Sequence, residues 1–596
     1  MHSLPLGPGL SGPLVALALG LTNLPLSAAT PASDVSNEVV KLPDVSVTSV
    51  RLPPIPESWQ YARLEDGTEV LSNASEKASQ RLLRDFQIFQ QALEVVWPLP
   101  QRAGAPARTL ILCGRRDKFS DFAAPIDATA DTGSTSLFLR NREQAAIIVD
   151  LQATVITLNG QTDDDGNATS NFEVDPYKQL YREYVRYLLS QGDTPPPAWV
   201  QEGMAQIVMA MEFTPKWIIF GRVDSSAYQP AQPAATPDGA APDDGTAAED
   251  VPAQTSVGDR PFNVALQRRA LMPLDQFFAV TANSPEARNP LGNNRWAKQA
   301  YAFVHLCLFG ENGRFKEAYT QFTQRLAREP VSEALFKECF KKSYKQMLDE
   351  LRGYISFTNH TSTTYTLKAG APPLGGAPIV LREATDSEVG RIKGDAQRLA
   401  GRPTEALGTY YASYARGARE PAFLAAYGVA MSQAGEEKER ARTALEAAVK
   451  AGARRPAAYV ELARLRLAEA KTKPAAPGGR LDAPQINSVL EALMPARRLG
   501  PPLPETYETA GEAWLACAGL PPKDHLAVLM EGVKLFPHDA ALYYALAEIY
   551  HRAGDGATAA KVAQAGLALG ADAAGKARLE QLLASLPPPA AGSRQP

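Results

Sequence analysis

Two carboxylates and two guanidinium groups, close together in the chain, are the residues best placed to do chemistry. Arg182, Glu183 and Arg186 lie in Tyr181-Arg182-Glu183-Tyr184-Val185-Arg186-Tyr187. Glu202 follows sixteen residues after Arg186, within Trp199-Val200-Gln201-Glu202-Gly203-Met204-Ala205. Carboxylates can serve as general bases or hold a metal ion, whereas guanidinium groups can do neither. The imidazoles that a zinc site would need are scarce. There are six histidines in all, at 2, 305, 360, 525, 538 and 551. Only His305, in the apolar run Ala300-Tyr301-Ala302-Phe303-Val304-His305-Leu306, could join Glu183 and Glu202. The sequence has neither the nucleophile turn G-x-S-x-G nor a phosphate-cradling glycine-rich loop. Asp163-Asp164-Asp165-Gly166-Asn167 lacks the terminal glutamate of a calcium loop and reads as a solvated loop.

The elements that carry these residues are two helices, expected over Tyr177–Ser190 and Pro197–Glu212 and joined by Gly192-Asp193-Thr194-Pro195-Pro196. Arg182 and Arg186 are four residues apart, so they share a helix face. If the helices pack together, that face looks towards Glu202.

This helix pair resembles the gluzincin metallopeptidases, specifically the bacterial peptidase-MA-like domains, whose pattern is H-E-x-x-H on one helix and W-x-x-E-G-x-A on the next. The resemblance spans roughly residues 55 to 390. It also draws on Leu71-Ser72-Asn73-Ala74, the Arg295–Leu308 helix and Ser343-Tyr344…Leu348…Leu351…Tyr354. It implies that two His and the later Glu bind zinc while the first Glu activates water. Here the two His positions are Arg182 and Arg186, while the base position Glu183 and the third-ligand position Glu202 remain. Guanidinium stays protonated and offers no lone pair to a metal. The expectation is therefore a pseudoenzyme without zinc or another cofactor, in which Arg–Glu pairing braces the two helices in place of the ion. Trp199 and His305 are expected to shape the same cleft. The alternative is a peptidase acting through a non-standard site built on Glu183 and Glu202.

Around the helix pair the chain reads as an α+β, zincin-like N-terminal domain (57–390) followed by an all-α solenoid (391–585). In the first region Glu69-Val70-Leu71 reads as a strand. A capped helix then runs to about Trp97, Thr109–Cys113 is a buried strand, and Thr135–Leu139 and Ala145–Leu151 form a hairpin. Helical periodicity resumes at Arg295–Leu308, Arg314–Leu326, Ser332–Phe340 and Tyr344–Tyr354, and Thr361–Leu381 is β-prone. Residues 161–172 read as a polar loop. Residues 224–259, rich in Pro, Ala, Gly and Asp, read as a disordered insertion.

The last third repeats. Pro421-Ala422-Phe423-Leu424 and Pro456-Ala457-Ala458-Tyr459 begin 35 residues apart, as do Pro504-Glu505-Thr506-Tyr507 and Asp539-Ala540-Ala541-Leu542. The wider middle gap fits one repeat plus the Pro/Gly-rich insertion at 473–482. This period, with Tyr and Leu facing Ala, resembles the tetratricopeptide (TPR) repeat and implies a groove that binds protein or peptide. The first copy is expected at Ile392–Arg419.

Residues 14–21 are apolar and precede Ser27-Ala28-Ala29, as in an export signal over residues 1–29, although residues 1–13 hold no Lys or Arg. An extended linker at 30–56 and a disordered tail at 586–596 flank the folded part. The expected product is periplasmic or secreted and has no transmembrane anchor. A net charge of −4 argues against a nucleic-acid partner. The four cysteines are scattered in apolar contexts without C-x-x-C, so any disulfide stays open.

Overall fold

A computed structural model describes residues 58–586 apart from several internal stretches, among them 99–105, 124–133, 160–168 and 224–254. The expected signal segment, the 30–56 linker, the Asp163–Asn167 loop, most of the 224–259 insertion and nearly all of the tail lie outside the described residues.

The first region is organised by a six-stranded mixed sheet. Its strands are β1 (Gln60–Arg63), β2 (Glu69–Ser72), β3 (Ala107–Cys113), β4 (Ser136–Arg140), β5 (Gln144–Asp150) and β12 (Arg382–Glu383), in the order β12-β1-β2-β3-β5-β4. The central pairs β2–β3 and β3–β5 are parallel, and the edge strand β4 runs antiparallel to β5, with Ser136 opposite Val149 and Arg140 opposite Ala145. Successive side chains of a strand point to opposite faces, and both faces of this sheet are covered. Val70, Leu110, Leu112, Ile147 and Val149 join the main core with α1 (Glu76–Val96) and α3 (Pro176–Leu189). Leu71, Ile111, Cys113 and Ile148 face the other way and meet Ile392 and Ala396. That explains why Thr109–Cys113 is apolar without alternation.

Local chemistry starts the helices as expected. Ser75 caps α1 by accepting from the Ala78 N–H, and Asp175 caps α3 ahead of Pro176 in its first turn. The second site helix, α4 (Ala198–Met209), follows Pro195-Pro196-Pro197. It ends three residues before the expected Glu212, which instead enters the two-residue strand β8 (Glu212–Phe213). This strand pairs with β9 (Trp217–Phe220), and β9 pairs with β11 (Thr363–Thr366), the part of the 361–381 stretch that becomes a strand of this sheet. Strand pairing outcompetes another half-turn of helix. The expected 161–172 loop is in part a strand: β7 (Thr169–Glu173) pairs with β6 (Val155–Asn159). Within the expected disordered insertion, β10 (Thr255–Ser256) adds to β7 in parallel.

Helix α4 packs closely along the Arg295–Phe309 helix, and Gly203 sets the approach. A Cβ there would sit 2.5 Å from Val304 Cγ2 and 2.6 Å from the Ala300 carbonyl oxygen. Four cysteines are buried and unbridged among the described residues.

From residue 386 the chain is a continuous stack of helix pairs: Asp386–Leu399 with Pro403–Ala415, Pro421–Ala434 with Lys438–Lys450, and Pro456–Thr472 with Ala483–Leu493. Pro504–Ala516 with Lys523–Leu535 and Ala540–Arg552 with Gly556–Ala568 follow, and Ala573–Ser585 closes the end. The 473–482 insertion falls between the two helices of the third pair. In the later repeats the close approach is made by glycine against tyrosine, more than by alanine. A Cβ on Gly532 or Gly566 would overlap Tyr507 or Tyr543 at 2.6 and 2.8 Å. The first pair begins at Asp386, six residues before the expected start. The boundary at 390 therefore falls inside a helix. That helix carries Ile392 and Ala396 to the sheet and also opens the array.

Replacing Gly203 by alanine should destabilise the protein by about 1–3 kcal/mol through overpacking. Valine at the same position should cost more or abolish folding. Urea unfolding followed by circular dichroism would measure both, and an unchanged midpoint would contradict the close α4 contact.

Candidate functional site

Helices α3 and α4 bring the four expected residues into one buried ion-paired cluster. Arg182 Nη2 lies 2.9 Å from Glu202 Oε2 and 3.1 Å from its Oε1, and Arg186 Nη2 lies 2.7 Å from Oε2. Arg186 Nη1 also reaches Glu183 Oε2 at 3.3 Å, and Arg182 Nη1 stands 3.8 Å from Glu183 Oε1. Arg182, Glu183 and Glu202 are at most 2 % exposed, whereas the Arg186 side chain is 23 % exposed and is the cluster's link to solvent.

Neighbouring groups complete the hydrogen bonding. Ser136, at the start of edge strand β4, donates its hydroxyl to Glu183 Oε1 at 2.9 Å. Gln206, one turn beyond Glu202 on α4, donates to Glu202 Oε1 at 2.9 Å and to the Gly292 carbonyl at 2.8 Å, and accepts from Lys298 Nζ at 3.1 Å. Gly292 has φ +60°, and a Cβ there would lie 2.4 Å from Glu202 Oε1. Its loop thus closes over the carboxylate only because it has no side chain.

The electrostatics follow from this geometry. Burial would raise the Glu202 pKa, but Arg182 and Arg186 outweigh it and hold the carboxyl at about 2. For Arg186 burial works against the charge, and Glu183 with Glu202 overcomes it and lifts the pKa above the usual guanidinium value. Burying several charges is costly unless each is paired and hydrogen-bonded. The two arginines, two glutamates, Ser136 and Gln206 meet that demand.

Zinc does not fit these residues. The guanidinium groups of Arg182 and Arg186 are donors only, and the Glu202 oxygens already accept from both arginines and Gln206. Among the described residues no group of three or more His, Cys, Asp or Glu is placed to hold a metal.

Two expected cleft residues sit elsewhere. His305 Nδ1 lies 2.7 Å from the Tyr354 hydroxyl and Nε2 lies 2.6 Å from the Gly221 carbonyl, with Phe262, Phe309 and His360 around the ring. Burial lowers its pKa to about 3, so it is a neutral core histidine. It packs there because the helix that carries it is buried along most of its length. Trp199 is fully buried among Phe277, Phe278, Phe303, Tyr319 and Phe322 and anchors α4 to the core without facing the ion pairs.

Ser136, Gln206, Lys298 and Gly292 escaped the sequence reading. Gln206 had a local signal, since it stands four residues from Glu202 on the same helix. The others come from a distant strand, helix and loop, and nothing local marks them.

No family model matches the chain, and no curated protein does. Solved structures do. One is a thermophilic TPR protein of Thermus thermophilus, at 18 % identity over 33 % of this chain and 99 % of that one, with TM-score 0.25. Another is the MamA RS-1 ArsTM double mutant, at 19 % identity over 31 % and 95 %, with TM-score 0.25. The Cut9–Hcn1 hetero-tetramer of the APC/C matches at 14 % identity over 48 % and 49 %, with TM-score 0.26. At these scores the repeat assignment rests on the helix pairs themselves. The chain joins an α+β region to a TPR-like array of helix pairs.

Pairing lowers the Glu202 pKa below its unfolded value, so its stabilisation is complete above about pH 4.5 and drains away as the pH falls towards about 2. Unfolding free energies between pH 7 and 2 should show this loss, and a Glu202→Gln variant should show a shallower one. At pH 7 Glu202→Gln or Arg182→Ala should cost about 3–5 kcal/mol, because each strands buried charge. A neutral result for both would show that the cluster is not a brace.

Proposed function

We propose that this is an exported, non-catalytic protein in which a metallopeptidase-like helix pair has lost its metal chemistry and a TPR-like array binds protein or peptide. The observation that carries the proposal is the double grip of Arg182 and Arg186 on Glu202. In the peptidase-MA-like pattern these three positions would share a zinc ion. Here two fixed cations neutralise the carboxylate and tie α3 to α4, which is a structural use of the same geometry. Glu183, the base position, is engaged by Arg186 and Ser136.

Support for the binding role comes from the array. Its helix pairs recur near every 35 residues and build an extended face suited to a polypeptide. Support for export is the apolar run at 14–21 followed by Ser27-Ala28-Ala29. No helix among the described residues is long and apolar enough to cross a membrane.

Elemental analysis of the purified full chain, with a casein digestion assay, tests the reading. The expected result is zinc far below one equivalent and no cleavage above that of a Glu183→Gln control. Stoichiometric zinc, or cleavage that Glu183→Gln abolishes, would overturn it in favour of a peptidase. The Arg182→His/Arg186→His double variant should gain zinc affinity if the helix pair keeps metallopeptidase geometry.

A further inference from the structure

The turn between β4 and β5 touches more of the array than a simple connection requires. Glu143 Oε2 accepts from Arg455 Nε at 3.0 Å, and its Oε1 accepts the backbone N–H of Ala457 at 2.8 Å. Ala457 stands in the first turn of the Pro456–Thr472 helix, whose own N-cap residue, Arg455, supplies no side-chain cap. The Glu143 carboxylate is thus the helix's cap, placed where the positive end of the dipole favours it. Gln144 Oε1 accepts from Arg455 Nη2 at 2.8 Å and from Arg398 Nη2 at 3.0 Å, and Gln144 Nε2 donates to Asp395 at 2.8 Å. Asp395 in turn takes Arg455 Nη1 at 2.9 Å and the Tyr410 hydroxyl at 2.7 Å. On the other side of the turn, the Arg142 guanidinium lies 6.0 Å from the centre of the Phe536 ring.

These contacts span the array. Asp395 and Arg398 belong to the first helix pair, Arg455 and Ala457 open the third, and Phe536 ends the fourth. Neighbouring packed helices lie 8–10 Å apart, so the first and fourth repeats of a straight stack would stand roughly 30 Å apart. Three consecutive residues that reach both must lie on the inside of a curved stack. Glu143, Asp395 and Arg455 are each less than a tenth exposed, so this seat is closed and dry.

We propose that the segment Arg142-Glu143-Gln144, the end of the β4–β5 turn with the first residue of β5, is an internal ligand of the array. It fills a seat on the inner face that also accepts a partner protein's segment bearing a carboxylate beside an amide. The recognition chemistry is that of the occupant: a carboxylate between the Arg455 guanidinium and the start of the Pro456–Thr472 helix, and an amide bridging Arg398 and Asp395. A partner's acidic segment binds by displacing the turn, so the free protein is held closed. The same strand carries Ser136, which holds Glu183, so displacement reaches the ion-paired helices through β4. The proposal rests on the protein-binding reading of the array.

A fluorescent peptide spanning residues 137–147 serves as the probe, with the full-length protein as receptor. It should bind the Glu143→Ala/Gln144→Ala variant at least about tenfold more tightly than it binds the wild type, whose seat is filled. Adding Arg455→Ala should remove that gain. Equal affinity for wild type and variant, or no binding to either, would overturn the proposal and make the turn a strut. If the variant does not fold, hydrogen exchange on the wild type decides. Excess peptide should speed exchange at amides 141–145, and unchanged rates overturn the proposal. Crosslinked partners on another face of the array would leave the general binding role intact while this inference fails. Zinc in the helix pair would sink the non-catalytic reading and leave this one standing.

Discussion

A buried carboxylate must be neutralised, and much of the first region is arranged around doing so for Glu202. One buried carboxylate, unpaired, would cost several kcal/mol. With Arg182 and Arg186 on one side and Gln206 on the other it becomes the tie between two helices. Each helix is then fixed by its outer face. Tyr181 and Tyr184 of α3 stack against Phe89 and Phe86 of α1, and Trp199 drives α4 into an aromatic cluster. Gly292 lets its loop close over Glu202, and Gly203 lets α4 approach the Arg295–Phe309 helix. The apolar packing supplies the stability, and the ion pairs fix which residues face each other.

A metal and a pair of guanidinium groups solve the same electrostatic problem in different ways. Each gathers a carboxylate from one helix and holds it against the next. A metal also leaves a coordination position for water and polarises it, whereas guanidinium spends its N–H groups on the carboxylate and leaves nothing to activate. Solvent meets the cluster at Arg186, the one of the four side chains that is partly exposed.

A second buried network, around Glu143, Asp395 and Arg455, makes the array continuous with the sheet. The Asp386–Leu399 helix covers one face of the sheet and opens the solenoid, so the two regions share an element rather than a linker. A terminal repeat normally needs a cap with a polar outer face. Here the sheet covers that end of the stack, and the helix Ala573–Ser585 closes the other. Strand β4 lies between the two buried networks, with Ser136 in one and the turn that follows Arg140 leading into the other.

The sequence by itself determined the helices and their register. The i, i+4 spacing of Arg182 and Arg186, the position of Glu202, the capping at Ser75 and the 35-residue period of the array are all local patterns, and helical geometry turns them directly into faces. It also determined that Arg182 and Arg186 do not ligate a metal, because residue type alone excludes coordination. Tertiary structure decided what those faces meet. His305 has a motif-like address but turns to Tyr354 and Gly221, since a helix buried along most of its length gives no sequence clue to which side faces the cleft. Trp199 stands three residues before Glu202, within about 60° of it on the helix, yet its ring is taken up by Phe277, Phe278 and Phe303, partners that no local pattern announces. The contacts of Ser136, Lys298 and Gly292 and the Glu143–Arg455 bridge join residues between 47 and 312 positions apart. Such contacts are created only when packing brings separate elements together, and desolvation there selects the polar partners that satisfy one another.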